Sequence, residues 1–198
     1  MNEAGHPDAL AVADPVPAPR APQRPGVRFL AGHPARWIAL GAGTGLSPVA
    51  PGTIGTLWAW ASFLVLETHL GDAGWAWLIA GSLAVGLWAC TRTARDLGVA
   101  DPSAIVWDEV VAFWLVLWLI QPAGWVFQGL AFALFRFFDA VKPGPVGWAD
   151  RLFKVRPGKG IGAPQGVGIL FDDLVAAGCT LLTLAVGLTL WRAFSLAG

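Results

Sequence analysis

Tyrosine is absent from this sequence, and cysteine, histidine and charge are scarce. Each scarcity removes a class of function. The two cysteines, Cys90 and Cys179, lie in apolar segments with no CxxC spacing and no histidine cluster beside them. A disulfide framework or a zinc centre is therefore not expected; both read as small buried hydrophobes. The three histidines, His6, His33 and His69, all fall outside the long apolar segments. That leaves no histidine nucleophile there and no base for a Ser–His–Asp triad. Charged residues make up 13% of the chain, against about 25% in a soluble domain. Thirteen acids cancel thirteen bases, and no basic stripe interleaves with aromatics, so no nucleic-acid partner is expected.

What remains is apolar. Hydrophobic residues reach 56%, twelve of them Trp, and the mean hydropathy is +0.60. Trp favours the bilayer interface, so part of this content reads as an aromatic belt. A spanning helix needs about 20 residues, and five segments come near it: 53–66, 73–90, 102–120, 123–138 and 168–191. Breakers separate them at Gly71-Asp72, 96–101, Gln121-Pro122 and 142–165. The expected fold is all-α, a polytopic membrane helix bundle of about four to five transmembrane helices. A Gly/Pro-rich re-entrant or interfacial loop precedes the first of them. Residues 1–27 are Pro- and Ala-rich without an apolar h-region, which predicts a disordered tail and no cleavable signal. Residues 28–198 form a single membrane domain.

Orientation follows from the basic residues. Of the thirteen Lys and Arg, all but Arg192 fall in the tail, in the loop after 73–90, or after Phe135; the loops around Gly71 and Gln121 hold none. Five spans with a cytoplasmic N-terminus fit this bias, and they gather every polar motif on the cytoplasmic side.

Five carboxylates sit inside or at the edge of the apolar segments: Asp108, Glu109, Asp139, Asp172 and Asp173. An ionised group in hydrocarbon costs at least about 2.5–3.5 kcal/mol, so these acids need a cation, a proton or water. Asp101-Pro102 predicts a helix start with Asp101 as its cap. On that register Asp108 lies about 9 Å down the helix, too deep for capping, and reads as a metal ligand with Glu109 as second ligand or base. Asp139 closes a helix, where an acid opposes the macrodipole; Arg136, Lys142 or a metal must compensate it. Asp172 and Asp173, adjacent near a helix start, repel each other unless a cation lies between them. Hard Mg²⁺, which takes carboxylate oxygens, suits the set.

Phosphate is the natural counterpart. Arg136 and Lys142 suit its oxygens. The segment GAGTGLSPVAPGTIGT (41–56) offers Thr44, Ser47 and Thr53, with backbone amides at the start of the next helix. The same segment reads equally well as a turn with Thr53 as helix cap.

LSPVAPGTIGT (46–56), SAIVWDE (103–109), FRFFDAVKPGP (135–145) with Ala149-Asp150-Arg151, and GILFDDLVAAG (168–178) resemble, in order, the signature blocks of the phosphatidylglycerophosphatase A family. The chain departs from that pattern at Ala112, Gly144 and Leu170-Phe171, and it lengthens the connection from Arg151 to Asp172, but no acid is lost. The resemblance implies a Mg²⁺-dependent enzyme of the bacterial inner membrane. It would hydrolyse the phospholipid phosphatidylglycerophosphate to phosphatidylglycerol and phosphate in phospholipid biosynthesis. All five acids would be catalytic and metal-binding, and Arg136, Lys142, Arg151, Thr44, Ser47 and Thr53 would hold the phosphate. The alternative from another class is a divalent-cation transporter or channel lined by the same acids. The apolar outer halves of the spans speak against it. No oligomeric state follows from the sequence.

Overall fold

A computed structural model describes residues 24–153 and 160–197. The tail expected over 1–27 lies, as far as residue 23, outside the described residues. All regular structure among the described residues is helical, with no strand. Two short helices, α1 (Val27–Ala31) and α2 (Pro34–Ala39), lead into a 3₁₀ stretch, Gly41–Leu46. Then follow α3 (Pro51–Leu66), α4 (Asp72–Leu97), α5 (Trp107–Leu119), α6 (Trp125–Val141), α7 (Pro145–Leu152) and α8 (Ala163–Ala197).

Each of the five expected segments holds a helix, but the helices are not of one kind. Two of them, α4 and α8, are long and apolar enough to cross a membrane. Only 33% and 22% of their most apolar windows are buried, unlike the core helix of a soluble protein. The other three fall short of a full span. The thirteen residues of α5 reach about 20 Å at 1.5 Å per residue. This helix is nevertheless the centre of the bundle. From Asp108 to Trp114 every side chain is buried, and α5 packs against α3, α4, α6 and α8. A helix apolar on all sides belongs in an interior.

Three boundaries differ from the sequence expectation. Asp101 does not cap α5. Ile105 N–H instead bonds the Pro102 carbonyl, and Val106 N–H bonds the Ala39 carbonyl of α2 at 2.9 Å. This turn delays the helix to Trp107, so Asp108 and Glu109 stand in its first turn rather than two turns down. The last helix begins five residues early, at Ala163. Pro164 suits a helix start, and the Gln165 side chain accepts the Gly162 N–H at 2.7 Å. Asp172 therefore lies nine residues into α8, about 14 Å from its start, beyond the reach of the helix dipole. Finally, Thr53 is not a cap, because α3 starts at Pro51 after Ala50, whose φ is 45°.

The polar ends converge. Asp96, near the end of α4, pairs with Arg36 of α2 at 2.9 Å and with Arg92 at 3.1 Å. Arg95 donates to the Ile161 carbonyl ahead of α8 at 2.8 Å. Gly98, at φ 67°, closes α4 in the left-handed conformation that glycine tolerates. At the other end, the loops after α3 and α5 carry no Lys or Arg. The tryptophans divide between surface and interior. Trp77, Trp125 and Trp191 are exposed. Trp60, Trp107 and Trp114 instead pack among the helices, with their indole N–H groups bonded to Gln128, to the Ser82 carbonyl and to the Ala59 carbonyl.

Candidate functional site

A cavity of about 300 Å³ opens where α3 begins, α5 begins and α6 ends, with the third turn of α8 as its remaining wall. Asp108, Glu109, Asp139, Asp172 and Asp173 all line it, as do Arg136 and Lys142. The acids separate into two kinds. Asp108, Glu109 and Asp173, buried like Asp172, each place one oxygen within 4.8 Å of the other two. Asp108 Oδ1, Glu109 Oε2 and Asp173 Oδ2 have no hydrogen-bond partner among the described residues. Three buried carboxylates crowded together, each with an oxygen that lacks a donor, are a poor arrangement for the apo chain. They match what a hard divalent cation takes.

The other two acids are held by bases. Arg136, one helical turn before Asp139 on α6, pairs with it directly. Its Nη1 also lies 3.8 Å from Glu109 Oε1 and 3.4 Å from Thr56 Oγ1. Lys142 caps α6 at φ 50° and extends its ammonium between Asp172 of α8, at 2.5 Å, and Asp150 of α7, at 2.7 Å. Burial works against that charge, but the hydrogen bonds to Asp150 and Asp172 outweigh it and raise the Lys142 pKa above its ordinary value. Lys142 thereby ties three helices together at the rim.

The start of α3 supplies the fourth wall. Pro51 and Gly52 line the cavity. A Cβ on Gly52 would run into Glu109 Oε1 and come within 3.1 Å of Arg136, so only glycine lets the α3 backbone approach this closely. The amides at a helix start have no intrahelical partner, and Gly52, in the first turn of α3, lines the cavity. Gly52→Ala is expected to lower kcat on the order of 10²-fold by displacing Glu109 and Arg136, with the melting temperature little changed. Phosphate release paired with a thermal melt checks this; wild-type kcat would show that the close approach is incidental.

The remaining residues expected from the sequence stand apart. Thr44 donates to the Gly41 carbonyl and Ser47 to the Val49 carbonyl. Neither of them, nor Thr53, nor the exposed Arg151 of α7, lines the acidic cavity. Residues that the sequence reading left out of the site contribute to it: Gly52 by close approach, Thr56 by its contact with Arg136, Asp150 through Lys142 and Asp101 on the cavity wall. Glycine, threonine and Asp150 lie inside the motifs quoted above, but spacing alone gives no sign of which atoms they meet.

Similarity to known proteins covers the stretch of chain that holds these residues. The family model described as phosphatidylglycerophosphatase A matches residues 37–188, which include every acid and base of the cavity. The Escherichia coli K12 protein named phosphatidylglycerophosphatase A is 35% identical over 149 residues, 75% of this chain and 80% of its own length. A Haemophilus influenzae protein of the same name is 37% identical over 145 residues, 73% of this chain and 83% of its own. A Bacteroides thetaiotaomicron protein, provisionally named as a phosphatidylinositol-3-phosphatase, is 35% identical over 155 residues, 75% of this chain and 90% of its own. No solved structure matches the chain. With the match spanning α2 to most of α8 and taking in the whole acidic cavity, the chain belongs to the phosphatidylglycerophosphatase A family and is a phosphatase.

Proposed function

We propose that this protein hydrolyses phosphatidylglycerophosphate to phosphatidylglycerol and inorganic phosphate, using Mg²⁺, at the cytoplasmic face of a bacterial inner membrane. The observation that carries the reading is the trio of buried, partnerless oxygens on Asp108, Glu109 and Asp173 beside two basic side chains. A bound Mg²⁺ would supply Lewis-acid polarisation of the phosphoryl group and lower the pKa of a water. Asp108, Glu109 and Asp173 would hold it. Arg136 and Lys142 receive the phosphate oxygens, exchanging part of their contact with Asp139 and Asp172 for the incoming dianion. The Gly52 amide at the start of α3 adds a fixed positive dipole. Burial keeps these charges in a low-dielectric setting, where each is worth more than in water. In the reaction the P–O bond to glycerol breaks, water gives OH to phosphorus, and a proton ends on the glycerol oxygen.

The bundle is read as an antiparallel membrane bundle in which α4 and α8 are full spans and α3, α5 and α6 are shorter helices packed between them. The inner part of the irregular turn before α5, Ala104, Ile105 and Val106, is buried in protein, as non-helical backbone at membrane depth must be. The diacyl chains stay in lipid while the headgroup enters from the polar end. Thr44, Ser47, Thr53 and Arg151 belong to the approach to the site rather than to its floor. The divalent-cation transporter reading finds less support: Thr180, Thr183 and Thr189 give their hydroxyls to carbonyls of their own helix instead of a path.

Phosphate release from phosphatidylglycerophosphate by detergent-solubilised protein tests the activity; none with Mg²⁺ present would sink it. Sidedness has its own test. In a background without Cys90 and Cys179, a cysteine at Gly160 is expected to resist an impermeant thiol reagent in intact spheroplasts and to react once they are opened. A cysteine at Gly71 should react in both. Added Cβ atoms at these two glycines meet nothing within 4 Å. Labelling of Gly160→Cys in intact spheroplasts would reverse the topology.

A further inference from the structure

We infer that a second cavity, beside the acids, is an anion subsite that takes the phosphodiester of the lipid headgroup on Arg24 and so selects for headgroup. The inference rests on the phosphatidylglycerophosphate reading above. This cavity, of about 410 Å³, shares Pro51, Asp101, Pro102 and Ser103 with the acidic cavity, so the two adjoin. Its volume lies within the range of small-molecule pockets, about 300–1,000 Å³.

The substrate dictates what must lie next door. Phosphatidylglycerophosphate carries its phosphomonoester and its phosphodiester on the two ends of a single three-carbon glycerol. With the monoester among the acids, the diester falls one glycerol away, in a cavity that adjoins them. Two cavities do. The one of about 390 Å³ meets the acidic cavity at Asp101 and Asp172 and carries a further carboxylate, Asp150, with no Lys or Arg among its described lining residues. Lys142 answers Asp150 and Asp172 together, so the described side chains there leave an excess of negative charge for a phosphodiester to meet. The other carries Arg24 against a single carboxylate, Asp101, which stands on the shared wall. Charge selects the Arg24 side.

The surroundings suit that task. Pro25, Leu46, Pro48, Leu97 and Val99 give apolar walls, beside which an arginine–phosphate pair is less screened than in water. Ser47 donates its own proton to the Val49 carbonyl, which leaves its oxygen able to accept from a glycerol hydroxyl. The wall is held by a close backbone approach: a Cβ on Gly45 would strike the Ala104 carbonyl. Arginine's planar fork fits two phosphate oxygens at once.

The test uses full-length protein in detergent. Arg24→Gln is expected to raise KM for phosphatidylglycerophosphate about tenfold, with kcat and the inhibition constant of inorganic phosphate unchanged, because the product binds among the acids alone. Glycerophosphoglycerol, a phosphodiester without the monoester, should inhibit the wild type, and its inhibition constant should rise about tenfold in Arg24→Gln. Arg24→Lys should recover part of the loss. An unchanged KM, or an inhibition constant for inorganic phosphate that rises in parallel, overturns the subsite. If the wild type releases no phosphate from phosphatidylglycerophosphate, the activity reading fails by itself. Calorimetric binding of glycerophosphoglycerol then decides the subsite separately: tenfold weaker binding to Arg24→Gln upholds it, and equal binding removes it.

Discussion

Asp108→Asn and Asp173→Asn are each expected to lower kcat on the order of 10²–10³-fold without unfolding the protein. The two halves of this expectation have different physical roots. Each substitution removes a carboxylate with one oxygen that has no donor among the described residues, so the catalytic charge goes while no pairing with a base is broken. Three acids crowded within 4.8 Å repel one another in the apo protein, and neutralising one relieves that repulsion. The melting temperature should hold or rise. Asp139→Asn and Asp172→Asn behave in the opposite sense. They leave Arg136 or Lys142 partly unpaired in a half-buried position, and breaking a buried pair by removing one partner costs about 3–5 kcal/mol, less here because these bases keep some exposure and a second contact. Those variants should lose stability first. Phosphate release and thermal melts on all four separate the two kinds of acid. If Asp108→Asn and Asp173→Asn melt early and the other two do not, the division is wrong and the buried trio is a structural element.

The contrast was only half legible in the sequence. Apolar stretches and their breakers located the five long helices, because hydrophobic burial and Gly/Pro punctuation act locally. The five acids stood out for the same reason, as charges where hydrophobic neighbours predict none. What spacing could not supply was register. Asp101-Pro102 has the composition of a helix start, yet the Val106 amide is taken by the Ala39 carbonyl, a contact between residues far apart in sequence. That one tertiary bond moves the start of α5 by a turn and changes Asp108 from a deep residue to a first-turn residue. The same limit explains α8. Its apolar run opens at Gly168, but the polar turns before it are held by Gln165 and by Arg95 reaching Ile161. The glycine-rich segment 41–56 carried two readings in the sequence, and the structure divides it accordingly. Gly52, on its last turn, enters the acidic cavity, whereas Thr44 and Ser47 satisfy their own loop. Lys142 could be read as a phosphate ligand from its position after an acidic helix end, but its pairing with Asp150 and Asp172 depends on α7, which no periodicity in the sequence predicts.

Chelation is expected to abolish phosphate release, and added Mg²⁺ to restore it. The argument starts from the charges. A phosphate monoester dianion entering a cavity lined by Asp101, Asp108, Glu109, Asp139, Asp172 and Asp173 meets six carboxylates and, among the described residues, two bases, Arg136 and Lys142, both already engaged with acids. Without further positive charge the dianion is repelled, and the basic side chains cannot both neutralise it and keep their partners. A divalent ion on the Asp108–Glu109–Asp173 oxygens reverses the sign of the local field. Because that ion binds only the folded arrangement, it should also stabilise the protein, by about 2.7 kcal/mol at a hundredfold excess over its dissociation constant. Thermal melts with and without Mg²⁺ therefore read the site independently of turnover. The wild type should gain stability on adding the ion, and Asp173→Asn should gain far less, with its half-activating Mg²⁺ concentration raised at least about tenfold, the scale on which weakened metal shells respond. Full phosphate release in thoroughly chelated protein would remove the ion from the mechanism. A Mg²⁺-induced rise in melting temperature that survives Asp173→Asn would move the ion away from these three oxygens, leaving Lys142 and Arg136 to bind the dianion against the acids that hold them.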